Sequence, residues 1–172
     1  TAAINGGIGQ VAQATGAGLR PGDRISVTLR DTAIAVTVRN DGRVLLPVVG
    51  PLAVAGLDPI AAEDSVLRAF AAFVRGPEVR AVALRRVVVQ GAVRRPDVFY
   101  VDATIGLAEV LGMAGGVSED GHRGKVDLFR AGQRIGRYDG RTPSTLAVPL
   151  QSGDMILVAE RSWWARNPSV LL

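Results

Sequence analysis

The chain has 172 residues, enough for one large domain or two small ones of roughly 70 residues each. Hydrophobic residues make up 48% and aromatic residues only 5%, so the core is built from Val, Leu, Ile and Ala, a mixture that favours strands over a helical bundle. The formal charge is +4, all but Lys125 of the basic residues are Arg, acidic residues are interleaved with them, and the lack of Cys excludes disulfides, thiolate metal sites and a Cys nucleophile.

Residues 1–18 are rich in Gly, Ala and Gln and read as a flexible lead-in with a weak helix around Gly9 to Thr15. Within them, Gly7-Ile-Gly9-Gln-Val-Ala12 resembles a loose dinucleotide fingerprint but lacks the preceding strand that would aim a pyrophosphate at a helix start. Arg24 to Leu29 is a strand with Ile25, Val27 and Leu29 on one face, and Ile34, Val36 and Val38 alternate likewise. Asn40-Asp41-Gly42 then turns the chain, and Val44 to Val48 is expected to return along the preceding run as a hairpin. Asp58-Pro59 opens the clearest helix, with Asp58 as N-cap, and Val66, Leu67, Phe70, Phe73 and Val74 form its apolar stripe. Arg75-Gly76-Pro77 ends it.

Val79 to Leu84 reads as a strand, divided by Arg85-Arg86 from a short buried run, Val87 to Gly91. Arg94 to Asp97 is a turn and Val98 to Val101 a short strand. Thr104 is the expected cap of a second helix, Ile105 to Ala114, stopped by Gly115-Gly116. Val126 to Arg130 and Gln133 to Tyr138 form a hairpin through Ala131-Gly132. A loop from Thr142 to Leu150 leads to the last strand, Met155 to Val158. Each half has one helix and several strands, so two small mixed α+β domains fit better than one doubly wound sheet.

One pattern occurs twice. Leu19-Arg-Pro-Gly-Asp-Arg-Ile-Ser-Val27 returns as Leu150-Gln-Ser-Gly-Asp-Met-Ile-Leu-Val158. Gly-Asp makes a tight turn and Ile-x-Val places two apolar side chains on one face of the strand that follows. The repeat carries no catalytic group and speaks of architecture.

Reactive constellations are missing. His122 is the only histidine, in the polar stretch Gly121-His-Arg-Gly124, where a solvated role is expected. Gly116-Val-Ser118-Glu-Asp120 lacks the second glycine of a nucleophile elbow. Glu63/Asp64 and Glu119/Asp120 are adjacent pairs whose side chains diverge, and no carboxylate cage for a metal is spaced along the chain. The main helix carries only Arg68 and Arg75, too little for nucleic-acid recognition. No run of about 18 apolar residues is present to span a bilayer. No enzyme and no cofactor are expected.

Several segments in order resemble the bacterial outer-membrane polysaccharide (capsule and exopolysaccharide) export proteins. They are Leu19 to Val27, Asp41-Gly-Arg-Val-Leu-Leu-Pro-Val-Val-Gly50, Val54-Ala-Gly-Leu57, Arg75-Gly-Pro-Glu-Val79, Val89-Gln-Gly-Ala-Val93, Ala103 to Leu111 with Ala114-Gly-Gly116, and the second Gly-Asp strand. The resemblance covers roughly residues 19–160 and implies a polysaccharide export domain at 19–84 and a soluble-ligand-binding β-grasp (SLBB) domain at 85–160. In such an arrangement strand 19–30 joins the sheet of the second domain, so Ile25 and Ile156 are expected to share one core. The departures are Pro96-Asp97 where relatives have Pro-Gly, no lipidated Cys, and a single β-grasp domain.

The resemblance further implies a homo-oligomeric ring in the periplasm, at the outer membrane of a Gram-negative-type bacterium. Polysaccharide would pass through it passively, with energy from an inner-membrane co-polymerase or export partner. Heterologous contacts between helix faces and sheet edges would close the ring. Arg80, Arg85, Arg86, Arg94 and Arg95 are the candidate pore or polysaccharide contacts, against the plainer reading of a salt-bridged surface. Trp163 and Trp164 in the tail, 161–172, are candidate membrane-interface anchors at the start of a membrane-associated helix, or else pack on the second domain or a neighbouring subunit. The rival readings are a monomeric carbohydrate-binding module and an envelope scaffold.

Overall fold

The computed structural model describes residues 18–73, 79–142 and 148–161. The weak helix at the N-terminus, Val74, the Arg75-Gly76-Pro77 stop, and Trp163 and Trp164 lie outside them. Strands β1 (Arg24–Leu29) and β2 (Thr32–Thr37) pair antiparallel through a tight turn in which Arg30 takes a φ of 53°. The expected hairpin between the second run and Val44 to Val48 does not form. Instead β3 (Arg43–Leu46) pairs with β4 (Gly50–Ala53) in a separate two-stranded sheet. The Asn40-Asp41-Gly42 turn is present, with Asp41 Oδ1 accepting from the Arg43 N–H at 3.1 Å. The Gly42 carbonyl, however, accepts from the N–H groups of Val54 and Ala55, both at 3.0 Å, and this closes β3 onto the chain that follows it.

Helix α1 (Pro59–Ala71) starts where Asp58 and Pro59 place it, with Asp58 Oδ1 accepting from the Ala61 N–H at 3.0 Å. Its buried stripe is Pro59, Ala62, Val66 and Phe70. Leu67 and Phe73, expected inside, are 36% and 58% exposed. Leu67 is rotated about 100° from Val66 around the axis, and Phe73 lies past the end of the helix. Glu63 Oε1 accepts the Ala83 N–H at 2.8 Å and ties the helix to the sheet.

The centre of the molecule is β5 (Val79–Gly91), one unbroken strand of 13 residues. Arg85-Arg86 does not interrupt it. Ala81, Ala83, Arg85, Val87 and Val89 are buried in strict alternation, because Arg85 has partners inside that let a cation continue the pattern. Residues Val79–Leu84 pair with β1, and Arg85–Val89 pair with β6 (Asp97–Val101). Val88–Gly91 pair in parallel with β9 (Met155–Glu160). Helix α2 (Leu107–Met113) begins at Gly106, two residues later than Thr104 suggested. The Thr104 hydroxyl is bonded to Asp102 at 2.5 Å, and Glu109 Oε2 accepts the Gly106 N–H at 2.6 Å. β7 (Gly121–Arg130) and β8 (Gln133–Tyr138) form the expected hairpin, and β7 pairs with β9. The result is a seven-stranded sheet in the order β2-β1-β5-β9-β7-β8, with β6 also on β5.

Two cores lie on one face of this sheet. The first gathers Leu19, Ile25, Val27, Val44, Val66, Phe70 and Ala83 under α1; the second gathers Val87, Val89, Leu107, Leu128, Ile156 and Val158 under α2. Ile25 and Ile156 therefore occupy separate cores, against the expectation of a shared one, although β1 and β9 belong to one seven-stranded sheet through β5. Within that sheet β1 lies between β2 and the first half of β5. On the opposite face Val82, Leu84, Val88, Met155 and Leu157 are only partly buried.

Candidate functional site

The repeated Gly-Asp turns meet at Arg86, in the middle of β5. Both turns are built alike. The Arg20 N–H donates to Asp23 Oδ2 at 2.7 Å, and the Gln151 N–H donates to Asp154 Oδ2 at 2.8 Å. The aspartate N–H returns to the carbonyl of Arg20 at 3.0 Å and of Gln151 at 3.1 Å. Gly22 and Gly153 supply φ of 94° and 79°, a region that costs a side chain of L configuration energy.

Each turn then grips the same backbone unit. The Arg86 N–H donates to Asp23 Oδ1 at 2.7 Å, and the Arg86 carbonyl accepts from the Gly153 N–H at 2.8 Å. The turns also bind each other, the Ser152 hydroxyl donating to Asp23 Oδ2 at 2.5 Å. Asp23 and Asp154 are fully buried and Ser152 nearly so. From this point β1 runs along β5 toward Val79 and β9 toward Gly91, so the two copies start strands that diverge.

Charge balance at the joint is internal. Arg130 presents Nε and Nη2 to the two oxygens of Asp154, both at 2.8 Å. That bond outweighs the cost of burial and holds the Arg130 guanidinium above its ordinary pKa. Arg85 donates through Nη1 to the Leu150 carbonyl, while its Nε is buried without a partner among the described residues. Burial lowers its pKa, and Asp23, Asp102 and Asp154 oppose that shift. On the outer face Arg24 of β1 lies 3.8 Å from the ring centre of Tyr100 on β6, a cation–π contact between the units.

The five arginines singled out from the sequence do not form one cluster. Arg85 points into the joint and is 9% exposed, which takes it out of reach of a polymer. Arg86 is partly buried on the outer face, and Arg80 is exposed six residues earlier on the same strand, roughly 20 Å away at strand rise. Arg94 and Arg95 are exposed at the turn before β6, where Arg95 Nη2 donates to the Met113 carbonyl at 2.8 Å. Missed in the sequence was the use of both aspartates as buried acceptors. The signal was present, since a polar residue repeated at the same offset before two apolar strands is a candidate structural acceptor.

A small mixed domain fused through one strand to a β-grasp-like domain, with a buried polar joint between them, defines a coupled two-domain α+β module. Residues 11–83 match the polysaccharide biosynthesis/export protein family, and residues 86–142 match the SLBB domain. The chain thus carries a polysaccharide biosynthesis/export domain followed by an SLBB domain. No curated protein matches it closely enough to add to these two.

Proposed function

We propose that this polysaccharide-export protein is the periplasmic part of an outer-membrane conduit, a homo-oligomeric ring through which capsular polysaccharide or exopolysaccharide passes without chemical change. The two domains act as one rigid wedge of that ring. The observation that carries this reading is β5, which runs unbroken through both matched domains and is clamped at Arg86 by a turn from each. Subunits meet through different faces, as a closed ring requires. An inner-membrane co-polymerase or export partner supplies the energy. Among the described residues no helix is long and apolar enough to cross a membrane, so membrane contact is assigned to residues beyond them.

The test joins mass measurement to phenotype. The full-length protein, purified in detergent, is expected to give a ring-sized mass by light scattering. Deletion of its gene is expected to remove polysaccharide from the cell surface while monomeric sugar precursors persist. A monomer that binds oligosaccharide, in cells whose surface polysaccharide is unchanged by the deletion, would overturn the conduit in favour of a binding module.

A further inference from the structure

At the end of the SLBB unit away from the joint, β7, the turn after β8 and the end of β9 surround an open cleft of about 460 Å³. Its lining includes Ser118, Glu119, His122, Arg123, Arg141 and Arg161. The volume lies in the range that accepts a small organic molecule, well beyond an isolated ion. Three guanidiniums line it beside Glu119, Arg141 being paired with the Asp139 carboxylate and Arg161 also partnered. Arg141 gives Nε and Nη2 to Asp139, both at 3.0 Å, which uses two of its five N–H groups and leaves three. The Arg123 side chain is exposed and has no hydrogen-bond or ion-pair partner among the described residues.

His122 adds an unusual feature. Its Nδ1 is buried and without a partner among the described residues. That atom is covered and is not itself offered to the cleft; for the imidazole as a whole a hydroxyl is a suitable partner in either tautomer, because a hydroxyl both donates and accepts. The floor of the cleft is glycine at two positions. A Cβ at Gly121 would collide with the Val117 side chain and lie 2.6 Å from the Ala92 carbonyl oxygen. A Cβ at Gly124 would stand 3.4 Å from His122 Cε1 and 3.5 Å from both Arg141 Nη2 and Asp139 Oδ2, on the ground between these side chains.

We infer that this cleft binds a carboxylate-bearing sugar unit, a uronate within an oligosaccharide. Arg123 and Arg141 take the carboxylate by paired N–H···O bonds, and His122, Ser118 and Glu119 take ring hydroxyls. Among the described residues the lining is charged and polar with no Phe, Tyr or Trp side chain, which suits a charged sugar better than a neutral one. The preference for a carboxylate with neighbouring hydroxyls stands on the lining; the assignment to a polysaccharide rests on the export reading above.

The experiment is calorimetric titration of the full chain with trigalacturonate, with maltotriose and inorganic phosphate as comparison arms. The trisaccharide acid is expected to bind and maltotriose not to. Arg123→Gln/Arg141→Gln is expected to weaken trigalacturonate about tenfold or more, the effect of losing charge-assisted hydrogen bonds. Gly124→Val, which fills the floor without removing a charge, is expected to do the same. Arg94→Gln/Arg95→Gln, at the turn before β6, is expected to leave binding unchanged. Both cleft variants are at exposed or partly exposed positions, and unchanged melting curves establish that they fold. Equal affinity for maltotriose, full affinity in both cleft variants, or no binding of trigalacturonate to the native chain overturns the site. Phosphate bound as tightly as the trisaccharide assigns the guanidiniums to a free anion and overturns the sugar. If the variants bind normally the cleft fails while the export reading stands. If gene deletion leaves surface polysaccharide unchanged the export reading fails while a uronate site, once measured, stands.

Discussion

Replacing Asp23 by Ala tests the joint most directly. The carboxylate is fully buried and accepts three hydrogen bonds, from the N–H groups of Arg20 and Arg86, each at 2.7 Å, and from the Ser152 hydroxyl at 2.5 Å. A hydrogen bond to a charged acceptor contributes about 1.5–3 kcal/mol. Arg20 is exposed and its N–H regains water, so it is left out of the loss. The Arg86 N–H and the Ser152 hydroxyl are not so placed, and Arg85 loses an opposing charge beside its buried guanidinium. The expected cost is about 3–5 kcal/mol, a large share of the stability of an ordinary domain. Asp23→Asn is expected to cost less, about 1–3 kcal/mol, because one carbonyl oxygen survives while the amide N–H meets another N–H.

Guanidinium unfolding followed by circular dichroism gives the loss, and amide exchange at Arg86 and Gly153 shows whether it is local. A cycle with Ser152→Ala is expected to show coupling of at least about 1 kcal/mol, since the two side chains touch. A loss below about 1 kcal/mol in Asp23→Ala, with unchanged exchange at Arg86, would refute the view that this carboxylate locks the units.

Three further outcomes follow from single sites. Asp127 is gripped by Arg137 through two bonds of 2.7 and 2.8 Å, which hold its carboxyl below the ordinary range against the effect of burial. The unfolded chain binds that proton more readily, so the contribution is complete above about pH 4 and vanishes as pH falls through the lower folded value. Urea unfolding between about pH 6 and pH 3 is therefore expected to show a gap between wild type and Asp127→Asn that closes with acid; a constant gap refutes the pairing. Gly91 has a φ of 84°, and a Cβ there would run into the Val158 carbonyl oxygen across the β5–β9 pairing, so Gly91→Ala is expected to cost about 3 kcal/mol or more in chemical denaturation. Val48 has a φ of 69° and is 73% exposed, so Val48→Asn is expected to raise stability by about 1 kcal/mol, read as a higher melting temperature.

The elements that local chemistry decides were legible in the sequence. Asp58-Pro59 starts α1 and Ala131-Gly132 turns β7 into β8, because cap and turn residues act within four positions. Those decided by distant partners were misread. Thr104 is a good cap by type, yet Asp102 captures its hydroxyl and the helix starts later. Arg85-Arg86 resembles a strand break until Asp23, from 63 residues earlier, accepts the Arg86 N–H, and Leu150 accepts from Arg85. Val44 to Val48 is apolar enough for a strand, and apolarity carries no information about which strand it joins. The cleft was the least visible feature. Its lining comes from the stretch before and within β7, the turn after β8 and the end of β9, and His122 in isolation reads as a solvated residue.

The Gly-Asp repeat shows why a sequence pattern with no reactive group still bears on function. In the first copy the Gly22 N–H donates to the Val38 carbonyl and the Asp23 carbonyl accepts from the Val38 N–H, so one residue is held from both sides. In the second copy the Gly153 N–H donates to Arg86 and the Asp154 carbonyl accepts from Val88, two residues apart. These are the antiparallel and parallel forms of one docking pattern. The side chains then diverge in use. Asp154 closes its own unit by taking Arg130, whereas Asp23 reaches across to Arg86 and Ser152. Relative motion of the two domains about β5 would strain the Asp23–Ser152 bond, which joins the first turn directly to the second. On the proposed ring reading, the spacing of export and SLBB domains would then be set within each chain before any subunit contact forms.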